Sequence, residues 1–238
     1  MNIFVAGATG VIGQPLLKLL LSAGHTVTGT TRSAEKIAAI EALGARGVVA
    51  DAFDAGALRR AMIVAKPDVV IHQLTDLPDV SDPSQMAAVR EKNSRLRIEG
   101  TQNLMVAAKA AGARRVVAQS IAFVYAPGPK PHREGDPLDS SEAQRVTIAG
   151  VTALEDAVLN TAGIDGVVLR YGRLYGPGTW FDKPGSAGAL TTDAAAQAAL
   201  LAVTKGAPGL YNVAEDDGEF SVEKALTELG FDPEFRMP

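Results

Sequence analysis

No cysteine occurs among the 238 residues, which excludes disulfides, thiolate metal sites and cysteine nucleophiles and fits a reducing compartment. An excess of basic residues is also lacking. The formal net charge of −4 at pH 7 gives no broad positive field for nucleic acid or for an anionic membrane surface. No apolar stretch approaches the roughly 18 uninterrupted residues of a membrane span, and the first apolar run lacks a basic leader region. Internal repeats and low-complexity linkers are missing too. These absences predict a cytoplasmic protein with a small-molecule substrate, no metal site, and neither a nucleic-acid nor a membrane partner.

What is present begins with GATGVIG, Gly7 to Gly13. It follows the apolar run Ile3 to Ala6 and precedes Leu16, Leu17, Leu20 and Leu21, whose spacing is that of a buried helix face. Strand, glycine turn and helix in this order read as a dinucleotide-binding turn. Gly7 permits a tight turn, Gly10 lets a pyrophosphate approach, and Gly13 lets the helix pack closely on the strand, with Thr9, Val11 and Ile12 completing the cradle. The unpaired N–H groups at the helix start would face the phosphates.

Further strand-like runs recur at Thr26 to Thr31, Gly47 to Ala50, Val69 to Leu74, Val116 to Gln119 and Gly166 to Arg170, with helical patterns between them. Such alternation predicts an α/β fold, a Rossmann-type doubly wound parallel sheet with right-handed crossovers. One NAD(P)-binding domain over residues 1–238 is expected, with a small C-terminal lobe from about Leu174 covering the cofactor site. Two irregular stretches, Ala126 to Asp139 and Gly176 to Gly188, are the candidate substrate loops.

The second run ends at Thr31, where an NAD-preferring site carries a carboxylate for the ribose 2′-hydroxyl. Here Arg32 follows, then Ser33 and Lys36. A guanidinium can take a 2′-phosphate bidentately, so NADP is expected over NAD, unless Arg32 is merely a solvated residue at a helix start. Asp51 and Ala52, beyond the third strand, are placed beside the adenine. Asp54 is either a further contact or a helix cap. Leu74, Thr75 and Gln119 line the cofactor's path at the ends of the fourth and fifth strands.

GATGVIG, TTRSAEK, ADAFD, IHQLT, EGTQNLMVAA, VVAQSIAFVYAPG and LRYGRLYGPGT occur in this order. With them the chain resembles the extended short-chain dehydrogenase/reductase superfamily, specifically the NAD-dependent epimerase/dehydratase family. The resemblance implies an oxidoreductase-like protein in which a Ser or Thr, a Tyr and a Lys four residues after the Tyr handle the proton. The Lys would lower the Tyr pKa and hold the nicotinamide ribose. In the matching segment VTIAGVTALEDAV, Thr147 stands at the Tyr position and Val151 at the Lys position, with Glu155 at the family's acidic position. Ile121 stands where the Ser or Thr belongs, with Ser120 just before it. The chain is therefore an atypical member.

Ser120 and Tyr125 are the candidate replacement proton donors, although Tyr125 could equally pack on its loop. His132 and Glu134 lie in the proline-rich loop, His132 either solvated or catalytic, Glu134 more in keeping with a structural role. By the resemblance, Arg170, Tyr171 and Tyr175 shape the substrate side and suggest a polar or anionic substrate; otherwise Arg170 pairs with a buried carboxylate and the tyrosines pack. Trp180 stacks on a substrate ring or closes the lobe, and Asp193 reads as a helix cap. The stretch from Trp180 to Thr191 is shorter than the family's substrate insertion, which disfavours nucleotide-sugars. Two functions follow: an NADPH-dependent reductase of a small carbonyl or sugar-like substrate, or a non-catalytic module sensing NADP(H) for a protein partner. Related enzymes often dimerise through the helices that correspond here to Arg95 to Ala111 and Thr147 to Asn160.

Overall fold

The structure is a computed structural model and describes residues 1–78 and 82–237. In chain order its strands are β1 (Asn2–Ala6), β2 (Thr26–Thr31), β3 (Arg46–Val49), β4 (Val69–His72), β5 (Arg115–Ile121), β6 (Asp165–Tyr171), β7 (Arg173–Tyr175), β8 (Ala189–Thr191) and β9 (Gly209–Val213). Its helices are α1 (Gly13–Ser22), α2 (Ile37–Ala42), α3 (Ala55–Ala65), α4 (Met86–Arg95), α5 (Thr101–Ala110), α6 (Arg145–Leu159) and α7 (Thr192–Leu201). A π-helical turn, Leu96–Gly100, joins α4 to α5.

Seven strands form one parallel sheet in the order β3-β2-β1-β4-β5-β6-β9, with β1 pairing to β2 on one side and β4 on the other. The order reverses between β1 and β4, which creates the crevice beyond the strands' carboxyl ends where doubly wound sheets bind ligands. Apolar runs make such a sheet because both faces are covered. Ile3 and Val5 of β1 point into one core with Leu16, Leu17 and Leu20 of α1 and the alanines of α7. Phe4 and Ala6 point into the other, with Leu58 and Met62 of α3, Leu104 of α5 and Leu154 of α6.

The chain beyond Leu174 serves both layers and edge. Strand β9 extends the main sheet beside β6, α7 packs on α1, and the short β7–β8 pair stands at the carboxyl edge as a small lobe. Two contacts hold its loop over the crevice. The Trp180 indole N–H donates to the Pro78 carbonyl at 2.9 Å, and Gly178 lies so near Val11 that a Cβ there would stand 3.2 Å from its side chain. One local expectation is corrected: α7 is capped by Thr191, whose hydroxyl accepts the Ala194 N–H, while Asp193 accepts the backbone N–H of Met237.

Candidate functional site

The glycine turn has the geometry its composition suggested. Gly7 has φ +90, a left-handed conformation, and a Cβ there would fall 2.5 Å from the carbonyl oxygen of Gln73, just past β4. A Cβ on Gly13 would fall 2.2 Å from the Gly7 carbonyl oxygen, so only glycine lets α1 begin this close to the strand. Gly10 is the open position, its nearest atom for an added Cβ being the Gly7 oxygen at 3.4 Å. Ile12 at the head of α1 offers no side-chain acceptor and the first turn holds no acid, which leaves the helix's N–H groups and positive dipole end for an anion. This cradle fits a dinucleotide pyrophosphate.

Around it the adenine side is open. Arg32 is 58% exposed and pairs with Asp76 at 3.0 Å, a surface contact worth at most about 1 kcal/mol and readily exchanged for a phosphate. Asp51 accepts the Phe53 N–H with one oxygen, and the Arg95 guanidinium covers the Phe53 ring at 4.3 Å. The Ala52 carbonyl is held by Asn103 of α5 at 2.9 Å. Asp54 proves to be the cap of α3, accepting the Ala57 N–H. Leu74 and Gln119 are half-buried and Thr75 is exposed along the crevice. Gln73 donates to the Tyr171 hydroxyl, and its own Oε1 is buried with no partner among the described residues.

The opposite side of the crevice is closed by a saturated network. Glu155 of α6 accepts from the Ser120 hydroxyl at 2.8 Å and, bidentately, from Arg170 Nε at 2.8 Å and Nη2 at 2.6 Å. Arg170 Nη1 donates onward to the Tyr125 hydroxyl and the Glu134 carbonyl, and Tyr125 donates to Asn212 Oδ1 at 2.6 Å. Burial works against the Arg170 charge, but Glu155 outweighs it and holds the guanidinium above its ordinary range. Burial likewise pushes the Tyr125 phenol up, against the opposing pull of Arg170.

This network decides where several of the residues singled out in the sequence lie. Ser120 donates its hydroxyl to Glu155 and Tyr125 donates its phenol to Asn212. Arg170, at 3% exposure, is the partner of a buried carboxylate and not a group offered to substrate. Tyr171 is buried, donating to the Ala195 carbonyl, with its phenol pushed up by burial. His132 stacks on Tyr125 at 5.1 Å, and Glu134 accepts the Asn212 N–H. Tyr175 remains at the lobe's edge, donating to Glu215, and Trp180 lies half-buried on the loop above.

Along α6, Thr147, Val151 and Glu155 share a face at four-residue spacing. Val151 is fully buried, and α6 meets α4 so closely at Gly150 that a Cβ there would stand 2.8 Å from the Ser94 Cα. Two further residues were not anticipated from the sequence. His72 closes β4, accepting the Leu74 N–H on Nδ1, with Nε2 3.0 Å from the Thr101 hydroxyl. Burial, assisted by the charge of Arg97, lowers its pKa to about 4, so the ring is neutral at pH 7. Arg97 itself projects from the π-helical turn, a feature that recurs at functional sites.

Comparison with known proteins agrees with this geometry. A model of the NAD dependent epimerase/dehydratase family matches residues 3–213. The chain is 41% identical over 240 residues to a Streptomyces 3-diazoavenalumate denitrifying reductase, covering 91% of this chain and 77% of that one. A UDP-glucose 4-epimerase from Thermotoga maritima, solved with UDP-glucose, superimposes with a TM-score of 0.80 at 17% identity, over 99% of this chain and 94% of the other. The Bordetella bronchiseptica enzyme WbmG, solved with NAD, gives 0.75 at 19% identity, over 99% and 89%. At such identities these two establish the shared fold alone. No helix among the described residues is long and apolar enough to cross a membrane.

Proposed function

This chain belongs to the NAD dependent epimerase/dehydratase family, and we propose that within it the protein is an NADPH-dependent reductase whose acceptor needs no proton from the enzyme, an aryl diazonium or related diazo compound. The observation that carries this reading is an open dinucleotide cradle in a chain whose α6 carries Thr147 and Val151 where the proton-handling pair would stand. When bound, the dinucleotide supplies a hydride. The protein's part is to hold and orient: N–H groups near Val11 and Ile12 for the pyrophosphate, Arg32 for the 2′-phosphate, Asp51 and Ala52 for the adenine. Leu74, Thr75 and Gln119 line the path onward, and Tyr175 and Trp180 border the acceptor.

Acceptor chemistry decides between the alternatives. A carbonyl that takes a hydride becomes an alkoxide and needs an acid within hydrogen-bond reach. Ser120 and Tyr125 are committed to Glu155 and Asn212, which argues against the small carbonyl or sugar. A diazonium carbon gains the hydride as a C–H bond while the C–N bond pair departs with dinitrogen, so charge and atoms balance without a proton. The relative's name, a denitrifying reductase of a diazo compound, supports the same class.

The test uses NADPH carrying deuterium at the transferable position, with an aryl diazonium acid or a panel of aldehydes and ketones as acceptor. Enzyme-dependent deuterium on the ring carbon, above the rate without protein, is the expected result; turnover on carbonyls alone would overturn the proposal. Arg32→Asp should shift cofactor preference from NADP toward NAD by about tenfold, read by titration. A homodimer through the α4–α5 and α6 helices belongs to the same reading, and light scattering decides it.

A further inference from the structure

Arg97 stands apart from the other arginines around the crevice. Its neighbour Arg95 makes an ion pair with Glu99 and covers the Phe53 ring, and Arg170 is bound bidentately to Glu155. Among the described residues, no carboxylate, carbonyl or hydroxyl lies within hydrogen-bond distance of the Arg97 side chain. Yet protein surrounds it closely enough that desolvation lowers its pKa to about 10, although it remains charged at neutral pH. It is nevertheless only half-buried by accessibility. A half-buried guanidinium that no protein acceptor holds keeps its donors available to whatever enters the crevice beside it.

Its surroundings locate it along the crevice. The π-helical turn that carries Arg97 runs directly into Thr101, whose hydroxyl lies 3.0 Å from Nε2 of His72 at the carboxyl end of β4, and the turn packs against α6, the helix of Glu155. Glu155 in turn holds Ser120 near the carboxyl end of β5. In a doubly wound sheet a dinucleotide crosses the switch point with one half over the first three strands and the other over the strands beyond. Here Arg32 and Asp51 border the first half, and the turn that carries Arg97 lies beside the carboxyl end of β4, toward the second. The local charge is net positive, because Glu155 is already neutralised by Arg170 and His72 is neutral.

We propose that Arg97 binds the ribose hydroxyls of the nicotinamide half of the dinucleotide and makes this site favour the reduced cofactor over the oxidised one. The oxidised ring carries a positive charge that an unneutralised guanidinium repels in a poorly solvated crevice, whereas the reduced ring is neutral. The cation that Val151 cannot supply from α6 is thus delivered from the π-helical turn. This inference rests on dinucleotide binding and is independent of which acceptor is reduced.

The experiment titrates the full-length protein and its Arg97→Met and Arg97→Lys variants with NADPH and NADP⁺ by calorimetry and follows thermal unfolding without ligand. The unaltered protein should bind NADPH more tightly than NADP⁺. Arg97→Met should weaken NADPH binding and reduce the NADPH-over-NADP⁺ preference about tenfold, while Arg97→Lys should keep most of it. Without ligand, Arg97→Met should melt higher by roughly 2–4 °C, because a desolvated, unpaired charge has been removed. A preference in Arg97→Met within twofold of the unaltered protein overturns the proposal. So does a lower melting temperature, which would mark Arg97 as structural. Absence of binding by the unaltered protein would overturn dinucleotide binding itself, whereas failure of the diazonium assay would leave these titrations standing.

Discussion

Along the β1–β3 side of the crevice, the head of α1 lacks a side-chain cap and Arg32 holds only a surface ion pair. Along the β5–β6 side, Ser120, Glu155, Arg170, Tyr125 and Asn212 hand hydrogen bonds to one another. Unmet donors are tolerated where a ligand will meet them, and buried polar groups are otherwise satisfied internally. The contrast teaches that one side of the crevice leaves donors free for a ligand while the other ties its polar groups to one another. On the proposed reductase reading, turnover depends on position and charge more than on acid–base exchange.

The sharpest break of that comparison is Glu155→Ala. It leaves Arg170 buried without its counter-ion and should cost about 3–5 kcal/mol, lowering the melting temperature by on the order of 10 °C. A loss below about 1 kcal/mol would mean that the network relaxes around the gap and is not the closed core described.

His72 gives the next effect, read as pH dependence. Its folded pKa of about 4 lies below the ordinary 6.5 because burial disfavours the charged ring. The unfolded chain therefore binds the proton first as pH falls. The stability from keeping this ring neutral is fully present above pH 6.5 and is lost as pH falls toward 4, by roughly 3 kcal/mol in all. Denaturant titrations across that window should show the slope, and His72→Gln should flatten it; an unchanged slope in the variant would assign it to other groups.

In the open half, Gly10→Ala separates binding from folding. The added Cβ meets only the Gly7 oxygen at 3.4 Å, so stability should change by less than about 1 kcal/mol. The same methyl stands where a pyrophosphate approaches, and affinity for NADPH should fall about a hundredfold, or ~2.7 kcal/mol. Equal affinity in the variant would show that the phosphates lie elsewhere.

Much of this was legible without coordinates. The apolar runs that become β1 to β6 are long enough to be read as buried strands, and GATGVIG carries its mechanism in its glycines. Strands β7 and β8 are three residues each and leave no periodicity. The role of Arg170 was open because its partner Glu155 lies on a helix that only the crossover brings beneath β6. Arg97 was missed for a related reason. Within VREKNSRLRIEG it looks like one more charge on a solvated helix, and only the π-helical turn and the contact between Gly150 and Ser94 set that segment against α6. Residues that act through local backbone shape are visible in sequence, and those that act through a distant partner, or the lack of one, are not.

The smallest expected effect tests the closed half most directly. Tyr125→Phe removes one donor from the network, leaving Asn212 Oδ1 without its phenol and Arg170 with one acceptor fewer. The Asn212 amide still donates to the His132 carbonyl and the ring still stacks on His132, so the loss should be about 1 kcal/mol, a melting shift of a few degrees. Single-turnover hydride transfer should proceed within twofold of the unaltered rate, because the phenol is held by Asn212 and Arg170. A fall of about a hundredfold or more, the scale of a lost general acid, would restore Tyr125 as the proton donor and dissolve the distinction between the two halves.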